Sequence, residues 1–199
     1  MELLVNKTIG FLRRHIDLPS EDIDIYEYGL GILIADILTF SVTIIIAIFL
    51  NIVYQTVFYF VAFIGLRRCA GGYHASTRIR CFFLSMSTWL VAMWLIRLSS
   101  NLAILPIIFS LLSCVTIWLF APVENSNNPL SPMQEKQMRR ASRIYSIVIS
   151  SATLLAVALI PAGVPDWIAS SLAYGALFFA SSLTVAAMLR HRDQSMQEV

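Results

Sequence analysis

A histidine and a cysteine seven residues apart, His74 and Cys81, stand in the most chemically dense stretch of the chain, RRCAGGYHASTRIRC over residues 67–81. A thiolate is a strong nucleophile, and an imidazole can activate it if the two come within about 3 Å. Along one continuous helix seven residues rise about 10.5 Å. The pair can therefore cooperate only if the histidine precedes a helix and folds back over it. Gly71 and Gly72 offer a place for that bend, because glycine takes backbone angles closed to other residues and lets another chain approach closely. Ser76 or Thr77 can cap the helix that follows. With Thr77 as cap, Arg78 to Arg80 form the first turn and Cys81 comes directly after it. A helix N-terminus and nearby cations stabilise a thiolate, whereas Arg78 and Arg80 oppose the helix dipole at that end. Thiolate stabilisation, capture of an anionic substrate group or contact with lipid headgroups would each explain that broken local rule.

Plainer readings compete. A cysteine at the start of a membrane helix often serves as a small apolar filler, and arginines at span ends set topology. Cys69, His74 and Cys81 lack a fourth ligand and a paired spacing, so no metal site is assigned. Cys114, inside the fourth apolar run, is read as lacking polar company and as packing. Asp36 lies inside an apolar run, where a charge costs about 2.5–3.5 kcal/mol on insertion scales. It is the candidate acid for orienting His74, with Glu27 and Glu124 as rivals; its alternative role is a hydrated or protonated link to a neighbouring helix. Arg67, Arg68, Gly71, Gly72, Arg78 and Arg80 are candidates for substrate contact. An oxyanion at a scissile carbonyl needs donors, and backbone N–H groups at the start of the helix, with Arg78 or Arg80 nearby, are the candidates.

The elements that must position these groups are membrane helices. The 199 residues are 58% hydrophobic and 13% charged, with a mean hydropathy of +0.75, against about 25% charged in soluble domains. Apolar runs at 30–50, 52–66, 79–96, 102–120, 144–162 and 167–189 predict an all-α integral membrane protein with six spans. The second is short of the roughly 20 residues a crossing needs and requires local thinning or snorkelling. With both termini cytoplasmic, thirteen of the fourteen Lys and Arg fall inside, all but Arg97, as the positive-inside rule asks. Residues 1–28 form a separate segment: Leu4, Phe11 and Leu12 recur at helical spacing beside Lys7, Arg13 and Arg14, which predicts an amphipathic helix on the lipid surface. No cleavable signal pattern opens the chain, so the first span is expected to direct insertion. Residues 29–199 make the membrane domain, with cytoplasmic loops at about 67–78 and 121–143. The second loop carries prolines and asparagines, then a basic run suited to an anionic inner leaflet. Three cysteines without paired spacing predict free thiols, and a net charge of +2 gives no basis for nucleic-acid binding.

At these residues the chain resembles the AgrB-like membrane peptidases, quorum-sensing processing enzymes of Gram-positive bacteria. The shared pattern is an Arg-Arg pair, a small-residue stretch with glycine, a His-Ala and a cysteine seven positions after the histidine. APVENSNNPLS followed by EKQMRRASR is similar to the family's second loop. Topology and length fit as well, so the resemblance covers nearly the whole chain. It implies a cysteine endopeptidase of the bacterial cytoplasmic membrane, its site facing the cytoplasm, with His74 and Cys81 as the catalytic pair and no cofactor. Its substrate would be an amphipathic AgrD-like propeptide, cleaved near its C-terminal end, held as a thioester and cyclised to a thiolactone or lactone. The resemblance gives Cys69 no role and supplies no third catalytic residue.

A non-enzymatic membrane transporter or scaffold, docking an acidic peptide through the arginine loops, is the alternative from another class. A metal-dependent protease is a third. Gly29, Gly31, Ser85 and Ser87 are small residues that would let helices approach closely and leave room for a homodimer.

Overall fold

A computed structural model describes residues 23–71, 77–99, 102–123 and 131–197. The expected surface helix within residues 1–22 lies outside the described residues. The helices are α1 (Ile23–Phe49), α2 (Val53–Ala70), α3 (Arg78–Leu98), α4 (Ile104–Phe120), α5 (Pro132–Ala158) and α6 (Asp166–Gln197), with a 3-10 turn at Ile160–Ala162. Among the described residues there is no strand, only an isolated bridge between Gly71 and Val123. Four helical segments are long and apolar enough to cross a membrane: Gly29–Phe49, Ile79–Leu98, Pro132–Ala158 and Asp166–Arg192. α4 is apolar but has 17 residues.

Each apolar run holds a helix, but several bounds move. α1 begins at Ile23, so residues 23–28 run into the first apolar helix without a break. α2 continues past 66 to Ala70, which puts Arg67, Arg68 and Cys69 on its last turn and not in a loop. The basic run before residue 144 is helical too. Ser131 and Gln134 form a reciprocal capping box, and with Pro132 at the first position nothing then interrupts the helix. α5 stops at Ala158, short of 162. The Pro161 ring cannot continue an α-helix, and the chain leaves through the 3-10 turn and Gly163 at φ 95°.

The chain divides into two compact units, Met1–Asn51 with Ala75–Ser87, and Ile52–His74 with Thr88–Val199. In the first, α1 meets the N-terminal half of α3. Buried Thr43 donates to the Thr39 carbonyl at 2.7 Å and stands 3.2 Å from Met86 Sδ. Thr39 and Ser41 bond back to the carbonyls of Ala35 and Ile37, so their hydroxyls need no outside partner in an apolar medium.

In the second unit α6 packs against α2, α4 and α5, and α5 packs against α2 and α4. Leu66, Ile117, Ile149, Leu172, Phe179 and Leu183 are central to its core. Two close approaches run through glycines. A Cβ on Gly175 would stand 2.6 Å from the Tyr59 carbonyl oxygen and 2.9 Å from Ala62 Cβ, so α6 meets the α2 backbone directly. Tyr145 of α5 lies over Gly65 of α2 and donates its hydroxyl to the Val61 carbonyl at 2.8 Å. Gly29, singled out by the sequence for such a role, has open space around it. The expectation that Cys114 lacks polar company is also overturned, because helix pairing brings Ser146 of α5 to 3.7 Å from its sulfur. Ser142, Ser146, Ser150 and Thr153 form a buried stripe on α5, the small polar lining by which membrane helices come together.

Candidate active site

Two helix ends carry the candidate residues. At the first, buried Leu66 and Ala70 hold the last turns of α2 in the core while Arg68 stays exposed and Arg67 and Cys69 are half-buried. Gly71 ends the helix at φ 76° and ψ −147°, its N–H donating to the Arg67 carbonyl at 3.1 Å. This is backbone that glycine alone adopts readily. It allows a clasp to the segment after α4: the Val123 N–H donates to the Ala70 carbonyl at 3.1 Å. A Cβ on Gly71 would lie 2.6 Å from the Val123 carbonyl oxygen. Both properties read from the glycine pair, unusual angles and close approach of another segment, are realised at Gly71. The partner, Val123 beside the cis Ala121–Pro122 peptide, has no signal in the sequence beyond its proline.

At the second end, α3 starts at Arg78, and the Arg80 N–H donates to Thr77 Oγ1 at 3.3 Å. Thr77 is thus the cap that the spacing allowed. The Cys81 N–H donates to the Thr77 carbonyl at 3.0 Å, so Cys81 is the first residue beyond the opening turn, with its side chain half-buried. The cap occupies the Arg80 donor and the helix occupies that of Cys81. Among the first-turn donors, Arg78 and Ile79 retain N–H groups without an acceptor inside the helix. Arg80 is exposed.

Gly72 and His74 lie outside the described residues, as does the Arg78 side chain. α2 ends at Ala70 and α3 begins at Arg78. Asp36 is exposed on α1, with no ion pair to a described residue. The Glu27 side chain and Glu124 lie outside the described residues.

Burial pushes the Cys69 thiol pKa up. The raised value keeps Cys69 protonated at neutral pH and makes it a poor nucleophile. In a chain with Cys69 as sole cysteine, iodoacetamide labelling at pH 7 is expected to be slower than in the denatured chain. Its rate should keep rising above the pH of about 8.5 where a free cysteine is half-ionised. A labelling curve superimposable on that of the denatured chain would contradict this.

The family model described as accessory gene regulator B matches residues 5–189. An AgrB-like protein of Listeria innocua serovar 6a is 26% identical over 131 residues, 65% of this chain and 64% of its own length. One of Listeria welshimeri serovar 6b is 25% identical over the same shares. The accessory gene regulator protein B of Staphylococcus intermedius is 28% identical over 129 residues, 64% of this chain and 69% of its own. The chain thus spans a little under two thirds of the length of the Listeria relatives. No solved structure matches it.

Proposed function

The chain belongs to the accessory gene regulator B family, and from that premise we propose that it is a membrane-embedded cysteine endopeptidase that matures a small amphipathic AgrD-like propeptide. The observation that carries this reading is the setting of Cys81, a half-buried thiol directly after a first turn capped by Thr77. α3 starts only at Arg78, four residues after His74 in the sequence.

In this reading the chain crosses the bacterial cytoplasmic membrane six times with both termini inside. The segment before α1 lies on the inner leaflet, and the site opens to the cytoplasm. His74 takes the Cys81 proton and the thiolate attacks the scissile carbonyl. The oxyanion is held by the N–H groups of Arg78 and Ile79, with the arginines nearby. The C–N bond breaks, the leaving amine takes the proton from His74, and the upstream peptide remains as a thioester on Cys81. An internal thiol or hydroxyl of the propeptide then attacks that thioester, its proton passing through His74 to Cys81 as the sulfur leaves, and closes a thiolactone or lactone. Thioester-to-thiol transfer is close to balance whereas hydrolysis runs strongly downhill, so the site must exclude water during transfer. An apolar substrate helix roofing the site would do that. Asp36 is the acid proposed to orient His74.

The test is to trap the intermediate. Incubating the reconstituted chain with a propeptide labelled upstream of the scissile bond, and lacking its cyclising residue, is expected to yield a labelled protein adduct. Hydroxylamine should release the label and peptide mapping should place it on Cys81. Binding of the propeptide with no covalent adduct would instead favour a transporter or scaffold.

A further inference from the structure

We propose that the face of α5 bearing Lys136, Arg140 and Arg143, bounded on the membrane side by Trp118 of α4, binds the headgroup phosphate of an anionic glycerophospholipid. The site is separate from the peptidase reading and rests only on α5 crossing the membrane.

The spacing i, i+4, i+7 puts the three cations on one strip of the helix, rising about 10 Å. The nearby acid Glu135 is committed to Arg139, with which it makes an exposed ion pair. No carboxylate among the described residues pairs with Lys136, Arg140 or Arg143. Lys136 and Arg140 are exposed and Arg143 is half-buried. The Arg143 guanidinium lies 4.9 Å from the centre of the Trp118 ring, and its buried Nε has no hydrogen-bond partner among the described residues. A ring face orients a guanidinium but supplies no lone-pair acceptor for its fixed fork of donors. Phosphate oxygens match that fork.

Position selects the kind of anion. From Ile144 to the end at Ala158 the helix carries no charge, and Ile144, Ile147 and Val148 are exposed along it. Trp118 is also 44% exposed. Tryptophan and arginine side by side at the end of an apolar helical stretch mark the level of the headgroups. A ligand here meets cations on one side and an apolar wall on the other. Free phosphate would use only the cations. An anionic lipid would use both, with its phosphate at Arg143 and its acyl chains along α5.

The full-length protein in a non-ionic detergent, given equal amounts of phosphatidylglycerol and phosphatidylcholine, can be examined by native mass spectrometry. The parent chain is expected to retain phosphatidylglycerol in preference. Arg140→Gln with Arg143→Gln should weaken that preference, by about fivefold for each charge removed. Lys136→Gln with Arg140→Gln alters only exposed positions, leaves the Arg143–Trp118 contact in place and should give a similar loss in a chain that stays folded. Arg190→Gln with Arg192→Gln removes the same charge at the end of α6 and should retain the lipid. Equal retention of both lipids by the parent chain, or an equal loss in the α6 control, would overturn the proposal. So would unchanged lipid retention in the α5 variants accompanied by weaker propeptide binding, which would assign the face to the peptide.

Discussion

Cys81→Ala is expected to abolish propeptide cleavage, a loss of about 10⁴-fold or more, as when a nucleophile is removed from a concerted site. Cys69→Ala is expected to cleave near the parent rate. The two thiols are twelve residues apart in one arginine-rich stretch, so composition treats them alike. Their settings do not. Cys69 sits on the last turn of α2 with its pKa raised by burial. Cys81 follows the opening turn of α3, whose Arg78 and Ile79 N–H groups have no acceptor inside the helix. The pair also separates chemistry from folding, since both side chains are half-buried and both variants delete one sulfur. Cleavage assayed in proteoliposomes with purified propeptide reads the difference. Intact cleavage by Cys81→Ala would remove the endopeptidase assignment.

Gly71→Ala is expected to destabilise the unit that holds α2, α4, α5 and α6 by about 2–4 kcal/mol. About 1–3 kcal/mol comes from forcing a side chain into glycine-only backbone and about 1 kcal/mol from the strained or broken Val123–Ala70 hydrogen bond. The added Cβ would meet a backbone carbonyl oxygen at 2.6 Å, an atom that cannot swing aside as the tip of a flexible side chain can. Gly163→Ala is the matched control. Its φ of 95° is also positive, yet a Cβ there meets nothing within 4 Å, so its expected loss is about 1 kcal/mol from backbone alone. Thermal unfolding of the two variants in detergent, followed by intrinsic fluorescence, should show a clearly larger drop for Gly71→Ala. Equal drops would mean that the clasp to Val123 adds nothing.

What the chain fixes locally could be read without the fold. Six apolar runs gave six helices. The glycine after Ala70 and the threonine before Arg78 gave the break and the cap that put Cys81 just past the first turn of α3. Each depends on residues within a few positions of one another, so spacing and residue type suffice. Helix ends were less legible where charge was taken as a boundary: Arg67, Arg68 and the run from Lys136 to Arg143 are charged but helical, because charge at a membrane surface marks depth and does not break backbone hydrogen bonds.

The pairing of helices was decided only by the tertiary structure. A helix that is apolar all round carries no stripe to say which side faces protein and which faces lipid, and in a membrane small residues and backbone fit, more than hydrophobicity, choose the partner. Hence the sequence could point to Gly29, which has open space, and pass over Gly65 and Gly175, which carry the contacts to Tyr145 and Tyr59. It could give Cys114 no polar neighbour although Ser146, 32 positions away, supplies one. It could offer Gly71 for a close approach without naming Val123, because that partner is set by how α2 and α4 each pack against α6.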